Sequence, residues 1–210
     1  MATTGLRERK KRQTRQTIAD AAAALFAQRG YEHVAVIDVA KAADVSEQTV
    51  YNYFPTKERL VLDRDEEFER RLAELVRRRP PGCSPAGALR GEALAVLDQI
   101  ASIPRGRAPG GLAYITAVSP AVRRLCLEMT DRHADAIATA ITEVPGKDGN
   151  GCTPQLAKVQ AVALAWVFQT ILDQAGRALV GGQAPVQIAA ELRPEVKRIL
   201  DSLDSWLREA

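Results

Sequence analysis

Apolar residues recur along most of this chain with the three- and four-residue spacing of one face of an α-helix. After Thr14, one such face carries Ile18, Ala22, Leu25 and Phe26. Gly30 follows and is typical of the residue that ends a helix in a left-handed conformation. No segment alternates apolar and polar residues over the length of a strand, and alanine and leucine supply most of the apolar content. The sequence therefore predicts an all-α fold.

N-cap residues and prolines set the boundaries of the predicted helices. Ser119-Pro120 and Thr153-Pro154 each place an N-cap residue before a proline at the first helical position. Thr56 is placed to cap the helix that follows it. We predict helices over residues 14–29, 35–43, 46–54, 57–79, 86–102, 112–118, 120–144, 154–180 and 185–207.

Proline- and glycine-rich segments interrupt this helical pattern. Residues 80–85, PPGCSP, form the clearest break and separate an N-terminal part from the rest. The connectors 103–111 and 145–152 are glycine-rich, but neither follows a strand or carries a phosphate-loop pattern, so both are interpreted as loops. Pro194 should break or kink the last helix near Arg193.

The positive charge of the chain is concentrated at one end. The 210 residues have a formal net charge of +3, which is too small to indicate a partner. Residues 1–15 contain six basic residues and one acid, so the excess positive charge lies there and the remainder is slightly acidic. Residues 1–13 are accordingly predicted to be a basic arm, which beside a DNA-binding motif would meet phosphate.

Cysteine and histidine usage narrows the possible classes of protein. Cys83, Cys126 and Cys152 are an odd number at wide spacing, which argues against a disulfide framework and indicates a reducing compartment. His33 and His133 stand alone, so we expect neither a metal site nor a cofactor. No apolar run approaches the roughly 20 residues that span a bilayer, and no signal peptide is recognised. We therefore predict a cytoplasmic protein with no membrane partner.

Residues 35–54 have the pattern of a helix-turn-helix. A short helix, a tight turn and a second helix opened by Ser46 would let one helix brace the backbone of DNA while the next enters the major groove. The apolar positions that would fix the two helices are Val36, Val39, Ala40, Val45, Val50 and Phe54. The outward positions of the second helix carry only hydrogen-bonding side chains.

At these residues the chain resembles the TetR family of transcriptional regulators. The matching positions include Gly30-Tyr31, Val45-Ser46 and the run TVYNYFPTKERL over residues 49–60. The resemblance covers about residues 12–62 and implies an N-terminal three-helix DNA-binding domain over 14–60. It also implies that residues 61–210 form a helical-bundle domain for effector binding and dimerisation.

The resemblance places DNA contacts on particular residues. Those that fall where the family commonly contacts the DNA backbone are Ser46, Thr49, Tyr51, Tyr53 and Lys57. Gln48 and Asn52 fall where family members reach base edges, and an amide can make paired hydrogen bonds to adenine. Glu47 either accepts from a cytosine amine or complements the helix N-terminus. Thr14 and Arg15 are expected to meet phosphate.

Three positions depart from the family pattern. Asp44 stands where the turn usually has glycine, and aspartate tolerates a left-handed backbone better than most residues. Gln48 replaces a frequent glycine and adds a side chain that can read bases. Val34-Ala35 replaces the usual Thr/Ser pair, which removes a helix cap and a hydroxyl contact to phosphate.

The C-terminal part should hold the effector and the dimer interface. A mostly apolar cavity is expected between the central helices. Its candidate lining residues are Tyr114, Met129, His133, Trp166, Phe168, Gln169 and Asp173, each of which also suits ordinary packing. Residues 154–180 are apolar on more than one face, so we predict a homodimer through 154–180 and 194–207.

From the sequence and the resemblance we predict a ligand-responsive repressor. It would bind double-stranded DNA at an inverted-repeat operator and be released by a small-molecule effector. An activator with the same DNA-binding end is the main alternative, and a helical binding module that does not bind DNA is a second. An enzyme is disfavoured, since no motif such as GxSxG places a nucleophile.

Overall fold

The computed structural model describes residues 5–63, 65–144 and 152–209, and the regular structure within them is helical. Ten α-helices are present in this part of the chain: α1 (Leu6–Arg29), α2 (Val36–Ala42), α3 (Glu47–Tyr53), α4 (Lys57–Val61), α5 (Asp65–Arg77), α6 (Pro85–Ala101), α7 (Leu112–Val118), α8 (Pro120–Thr142), α9 (Pro154–Val180) and α10 (Pro185–Glu209). Short 3₁₀ helices cover Tyr31–His33 and Arg105–Gly110. The predicted all-α fold is confirmed, although most of the connector 145–152 lies outside the described residues.

Several helix boundaries follow from the capping residues. The Ser119 hydroxyl accepts from the Val122 amide at 3.4 Å, and the Thr153 hydroxyl accepts from the Leu156 amide at 3.3 Å. Gly30 has a φ of 80°, which ends α1 as predicted. Thr56 does occupy the N-cap position of α4, but its side chain makes no cap hydrogen bond.

The first helix begins earlier than predicted. It starts at Leu6 rather than at Thr14, so the described part of the predicted arm is helical. The physical reason is that residues 6–13, LRERKKRQ, are strong helix formers without glycine or proline. The basic side chains of this segment are therefore carried on a helix.

The predicted helix over 57–79 is wrong, because the chain forms two helices there. α4 ends at Val61 and α5 begins at Asp65. Leu60 and Leu62 are both buried, although residues two apart point to different faces of a helix. Burying both side chains requires the chain to turn between them.

Pro194 was predicted to break or kink the last helix, and it does not break it. α10 runs through it as one element. Ile188 before the proline and Val196 and Leu200 after it are each at most 2% exposed. Burial on both sides of the proline holds the two halves of α10 against the same core, which offsets the lost hydrogen bond.

One helix among the described residues, α9, is long and apolar enough to cross a membrane by length and composition alone. This differs from the expectation that no apolar segment approaches that length. Only half of its most apolar stretch is buried inside the protein, and core helices of soluble proteins pass the same test. The feature is weak evidence for a membrane.

Two apolar cores are present among the described residues, and the second joins the N-terminal helices to helices from the middle of the chain. We define the head as residues 6–62 and the body as α5–α10. The first core lies within the body, among residues of α5 to α10. The second contains the buried side chains of the head together with Ile115, Val122, Cys126 and Met129 of α7 and α8. The predicted domain boundary at residues 60–61 therefore runs through shared apolar packing.

The 3₁₀ helix over Arg105–Gly110 packs closely on the head. A Cβ atom added at Gly110 would lie 2.3 Å from the Cα and backbone nitrogen of Ala27 in α1. Gly106, in the same segment, has nothing within 4 Å of such an atom. Gly110 therefore has no room for a side chain, whereas Gly106 in the same 3₁₀ helix does.

We predict that Gly110→Ala destabilises the protein and that Gly106→Ala does not. The added methyl at residue 110 meets backbone atoms that cannot rotate away, and overpacking of this kind costs about 1–3 kcal/mol. Urea unfolding of the two variants beside the parent chain measures the difference. Equal unfolding free energies for the two variants would contradict the close contact between this segment and α1.

Candidate nucleic-acid interface

The turn between α2 and α3 is built by local hydrogen bonds. Asp44 has a φ of 52°, the left-handed conformation predicted for it. The Val45 amide donates to the Ala40 carbonyl at 3.0 Å, which closes the turn. The Ser46 hydroxyl accepts from the Thr49 amide at 3.1 Å and caps α3. The helix-turn-helix geometry thus follows from residues 40–49.

The two faces of α3 differ in character. Val50 and Phe54 are at most 1% exposed and lie in the second core. The opposite face is exposed and carries Ser46, Glu47, Gln48, Tyr51 and Asn52. Thr49 and Tyr53 are half-buried at its edge. One face therefore braces the helix and the other presents amides and hydroxyls.

The two predicted base-reading amides are neighbours on this exposed face. Gln48 Nε2 donates to Asn52 Oδ1 at 3.2 Å. This contact leaves the Asn52 amide nitrogen and the Gln48 oxygen available, so the pair offers both a donor and an acceptor. Such a pair matches the donor and acceptor pattern of an adenine edge in the major groove.

The N-terminus of α2 is capped in a way that the sequence did not reveal. Ala35 occupies the N-cap position and has no hydroxyl to offer. The Asp38 carboxylate accepts from the Ala35 amide at 2.9 Å instead. A carboxylate at this end complements the helix dipole, but it also places negative charge where a phosphate would approach.

The basic residues of α1 border an open groove of about 740 Å³ beside the end of α3. Its lining residues are Leu6, Arg7, Glu8, Lys10, Lys11, Thr14 and Tyr53. The groove therefore brings the basic segment together with two residues predicted to contact the DNA backbone. Four of the lining residues are cationic or hydroxyl-bearing residues on α1, a lining that suits a phosphate chain.

Two predicted phosphate contacts have partners within the protein. Arg15 Nη1 donates to the Tyr53 carbonyl at 3.2 Å, and its Nε lies 2.9 Å from Asp63 Oδ1. Lys57 Nζ lies 4.1 Å from the centre of the Tyr31 ring. These cations thus contribute to the packing of the head.

Tyr31 connects the head to the body. It is 5% exposed, and its ring packs against Phe26 with centroids 5.2 Å apart. Burial, and then the charges of Glu58 and Glu32, raise the pKa of Tyr31 to about 12. Its hydroxyl interacts with Ser119, the residue that caps α8. The residue that follows the glycine at the end of α1 therefore contacts the start of a body helix.

A polar cluster at the start of α5 forms a second connection. Asp65 and His133 are both buried, and Asp65 Oδ1 lies 2.8 Å from His133 Nε2. Arg132 also bonds to Asp65, and its Nε lies 3.7 Å from Glu69. Burial alone would raise the pKa of Asp65, but the hydrogen bonds and charges of His133 and Arg132 outweigh it and hold that pKa below its ordinary value.

The same cluster has the composition of a metal site. Ligand atoms of Asp65, Glu69 and His133 lie within 4.8 Å of one another, although the sequence spacing had left His133 alone. The Arg132 guanidinium pairs with both carboxylates and offsets part of their charge. The arrangement is explained by anchoring of α5 to α8.

The predicted effector residues fall into separate environments. Phe68 packs edge-on against both Phe168 and His133, with centroids 5.4 and 5.5 Å apart. Gln169 accepts from Thr130 at 3.0 Å and donates to Asp173 at 2.9 Å. Trp166 lies apart, since 47% of it is exposed.

The remaining two candidates, Met129 and Tyr114, lie in different cores, and neither lines the groove on the surface of the body. Met129 is in the second core, while Tyr114 packs at the edge of the first. A groove of about 790 Å³ runs along α5, lined mainly by charged residues from Glu67 to Arg79. None of the seven predicted residues is among those that line it.

The sequence of the helix-turn-helix region matches a known protein family. Residues 18–63 match the family model for bacterial regulatory proteins of the tetR family, a range that contains α2, the turn and α3. The N-terminal domain of the chain is therefore similar to the DNA-binding domain of the tetR family. The resemblance drawn from the sequence motifs is therefore confirmed.

Two curated relatives are described as HTH-type transcriptional regulators. TcmR of Streptomyces glaucescens is 34% identical over 96 residues, which are 46% of this chain and 42% of that protein. YuxN of Bacillus subtilis (strain 168) is 26% identical over 125 residues, 57% of this chain and 43% of that protein. The chain thus spans less than half of the length of these relatives.

Solved structures share the fold over almost the whole chain. The TetR family repressor AlkX from Dietzia sp. is 22% identical, with a TM-score of 0.53 over 87% of this chain and 97% of that one. Thermus thermophilus FadR, a TetR family repressor, is also 22% identical, with a TM-score of 0.53 over 89% of this chain and 92% of that one. At these identities the likeness shows that the fold is shared.

We predict that Asp65→Asn destabilises the protein by roughly 1–3 kcal/mol at neutral pH, because it removes the charge that holds Arg132 and His133. Since the pKa of Asp65 is lowered on folding, its stabilising effect should be complete above the ordinary carboxyl pKa. It should be lost as the pH falls through the lowered value. Thermal unfolding across pH measures both effects.

Glu69→Gln serves as the matched control for this experiment. Glu69 belongs to the same helix and the same cluster, but its contact with Arg132 is longer and more exposed. We expect a loss well below that of Asp65→Asn. Equal losses in the two variants would show that the buried Asp65 has no special role in joining α5 to α8.

Proposed function

We propose that this chain is a homodimeric, effector-responsive transcriptional regulator that binds an inverted-repeat operator in double-stranded DNA and acts as a repressor. The observation that carries the proposal is the exposed hydrogen-bonding face of α3, held by a buried apolar face within a matched family domain. A helix presented in this way suits the major groove, which is about 12 Å wide.

DNA binding would divide between two groups of residues. Gln48 and Asn52 would reach base edges and give sequence preference, while hydroxyls on the exposed face of α3 and at its edge would position the helix on the DNA backbone. Those predicted positioning residues are Ser46, Thr49, Tyr51 and Tyr53. The groove that Lys10, Lys11 and Thr14 border would receive the adjacent phosphates.

Dimerisation would use the exposed apolar residues of α9 and α10. Val159, Trp166 and Val180 of α9 are 58%, 47% and 49% exposed, and Val186 of α10 is 64% exposed. Trp206, near the end of α10, is 37% exposed. Large apolar side chains on two adjacent helices favour burial against a second copy. A two-fold dimer would then address half-sites about 34–36 Å apart.

Effector control would act through the contacts between body and head. FadR of Thermus thermophilus was solved in complex with lauroyl-CoA, so a protein of this fold accepts a small molecule. A ligand bound among the central helices would favour a body arrangement with a different spacing of the two α3 helices. It can shift that balance only by its difference in affinity for the two states.

The DNA-binding proposal is tested by operator selection from random sequences with the purified protein. We expect an inverted repeat to be enriched, and enrichment of no such sequence would overturn the proposal. Asn52→Ala is expected to weaken binding to the selected operator at one base position by ~1–3 kcal/mol. Arg124→Ala, which removes an exposed cation on α8, is the control that should bind as the parent does.

The dimer is tested by placing a charge in the proposed interface. Trp166→Asp is expected to give monomers in analytical ultracentrifugation, because an unpaired carboxylate would be buried between two copies. Tyr51→Ala removes another exposed aromatic residue, on the head, and should leave the dimer intact while weakening DNA binding. Dimers of unchanged affinity in Trp166→Asp would place the interface elsewhere.

A further inference from the structure

The Arg15 side chain contacts three residues outside its own helix: Tyr53, Phe54 and Asp63. Its Nη1 donates to the Tyr53 carbonyl at 3.2 Å, its Nε lies 2.9 Å from Asp63 Oδ1, and its guanidinium lies 4.5 Å from the centre of the Phe54 ring. Arg15 belongs to α1, Tyr53 is the last residue of α3, and Asp63 lies between α4 and α5. The side chain therefore bridges the end of the recognition helix and the start of the body.

The contact with Tyr53 has a clear physical basis. The last carbonyls of a helix have no partner within it, and they form the negative end of the helix dipole. A planar guanidinium can satisfy such a carbonyl, pair with a carboxylate and stack on an aromatic ring at the same time. A lysine at this position would keep the charge but would lose the stacking and the second hydrogen bond.

Asp63 carries the connection onward to the body. Its side chain is 12% exposed, so the ion pair with Arg15 is partly shielded from solvent. Two residues later, Asp65 bonds to Arg132 and His133 of α8. Asp63 is thus held by α1, and Asp65 at the start of α5 is held by α8.

We propose that Arg15 is a positioning residue for the recognition helix and not a phosphate contact. It fixes the C-terminal end of α3 relative to the segment between α4 and α5, and through Asp65 relative to the body. This inference rests on the proposed DNA-binding function. The Arg15 side chain is 41% exposed, but a carbonyl, a carboxylate and a ring hold its guanidinium in place, and moving the guanidinium onto a phosphate would weaken these contacts.

The experiment compares Arg15→Lys and Arg15→Ala with Lys10→Ala, which removes an exposed cation that lines the groove on α1. Affinity for the selected operator is measured over a range of salt concentrations, well below the melting temperature of each variant. We expect both Arg15 variants to bind roughly tenfold to a hundredfold more weakly with an unchanged salt slope. Lys10→Ala should instead flatten the slope by about one ion.

Asp63→Asn gives an independent arm of the test. It removes the charge of the carboxylate that pairs with Arg15 and leaves Arg15 itself in place, so it should weaken operator binding about as much as Arg15→Lys does. Combining Arg15→Lys with Asp63→Asn should add little beyond either change alone. Parent-like affinity in Arg15→Lys, together with a flatter salt slope in Arg15→Ala, would overturn the inference and make Arg15 a phosphate contact.

Hydrogen exchange separates this inference from the proposed function. Arg15→Lys should speed amide exchange in the last turn of α3, around Val50 to Phe54, in the free protein. If the parent chain selects no operator, the DNA-binding proposal fails, while this readout still tests the positioning of α3. Unchanged exchange in α3 would contradict the positioning role whatever the DNA result.

Discussion

The second apolar core constrains the rest of the structure, because it is not contained within the head. Phe26, Val50 and Phe54 pack in the same core as Ile115 and Val122 of α7 and α8. Short helices such as α2 and α3 bury too little surface to be stable alone, so packing fixes their positions. A change in the position of α7 or α8 would therefore disturb the core in which Val50 and Phe54 are buried.

Polar contacts at the rim of this core give the junction its specificity. Tyr31 interacts with the cap of α8, and Asp65 bonds to Arg132 and His133 on the same helix. Apolar packing is tolerant of small shifts, whereas buried ion pairs lose much of their stabilisation when one partner moves. The junction thus combines apolar burial with directional contacts.

Local patterns predicted the helix-turn-helix well, and they predicted its surroundings less well. The left-handed Asp44 and the Ser46 cap depend on neighbours a few residues away, so the sequence contains their causes. The break between α4 and α5 had a signal in Leu60 and Leu62, two apolar residues that one helix face cannot bury together. Arg15 offered no such signal, because its Tyr53 partner lies 38 residues away.

The sequence by itself determined the helical fold, most helix boundaries and the polar outer face of α3, since these depend on spacing and capping over a few residues. The tertiary structure alone decided that the head and body share a core and that His133 pairs with Asp65, 68 residues away. It also decided that the Arg15 guanidinium binds Tyr53 and Asp63 and that Trp166 lies partly exposed on the surface. The reason is that long-range contacts depend on how whole helices pack against one another. The pattern of residues along one sequence indicates which helix faces are apolar, but not which helices they pack against.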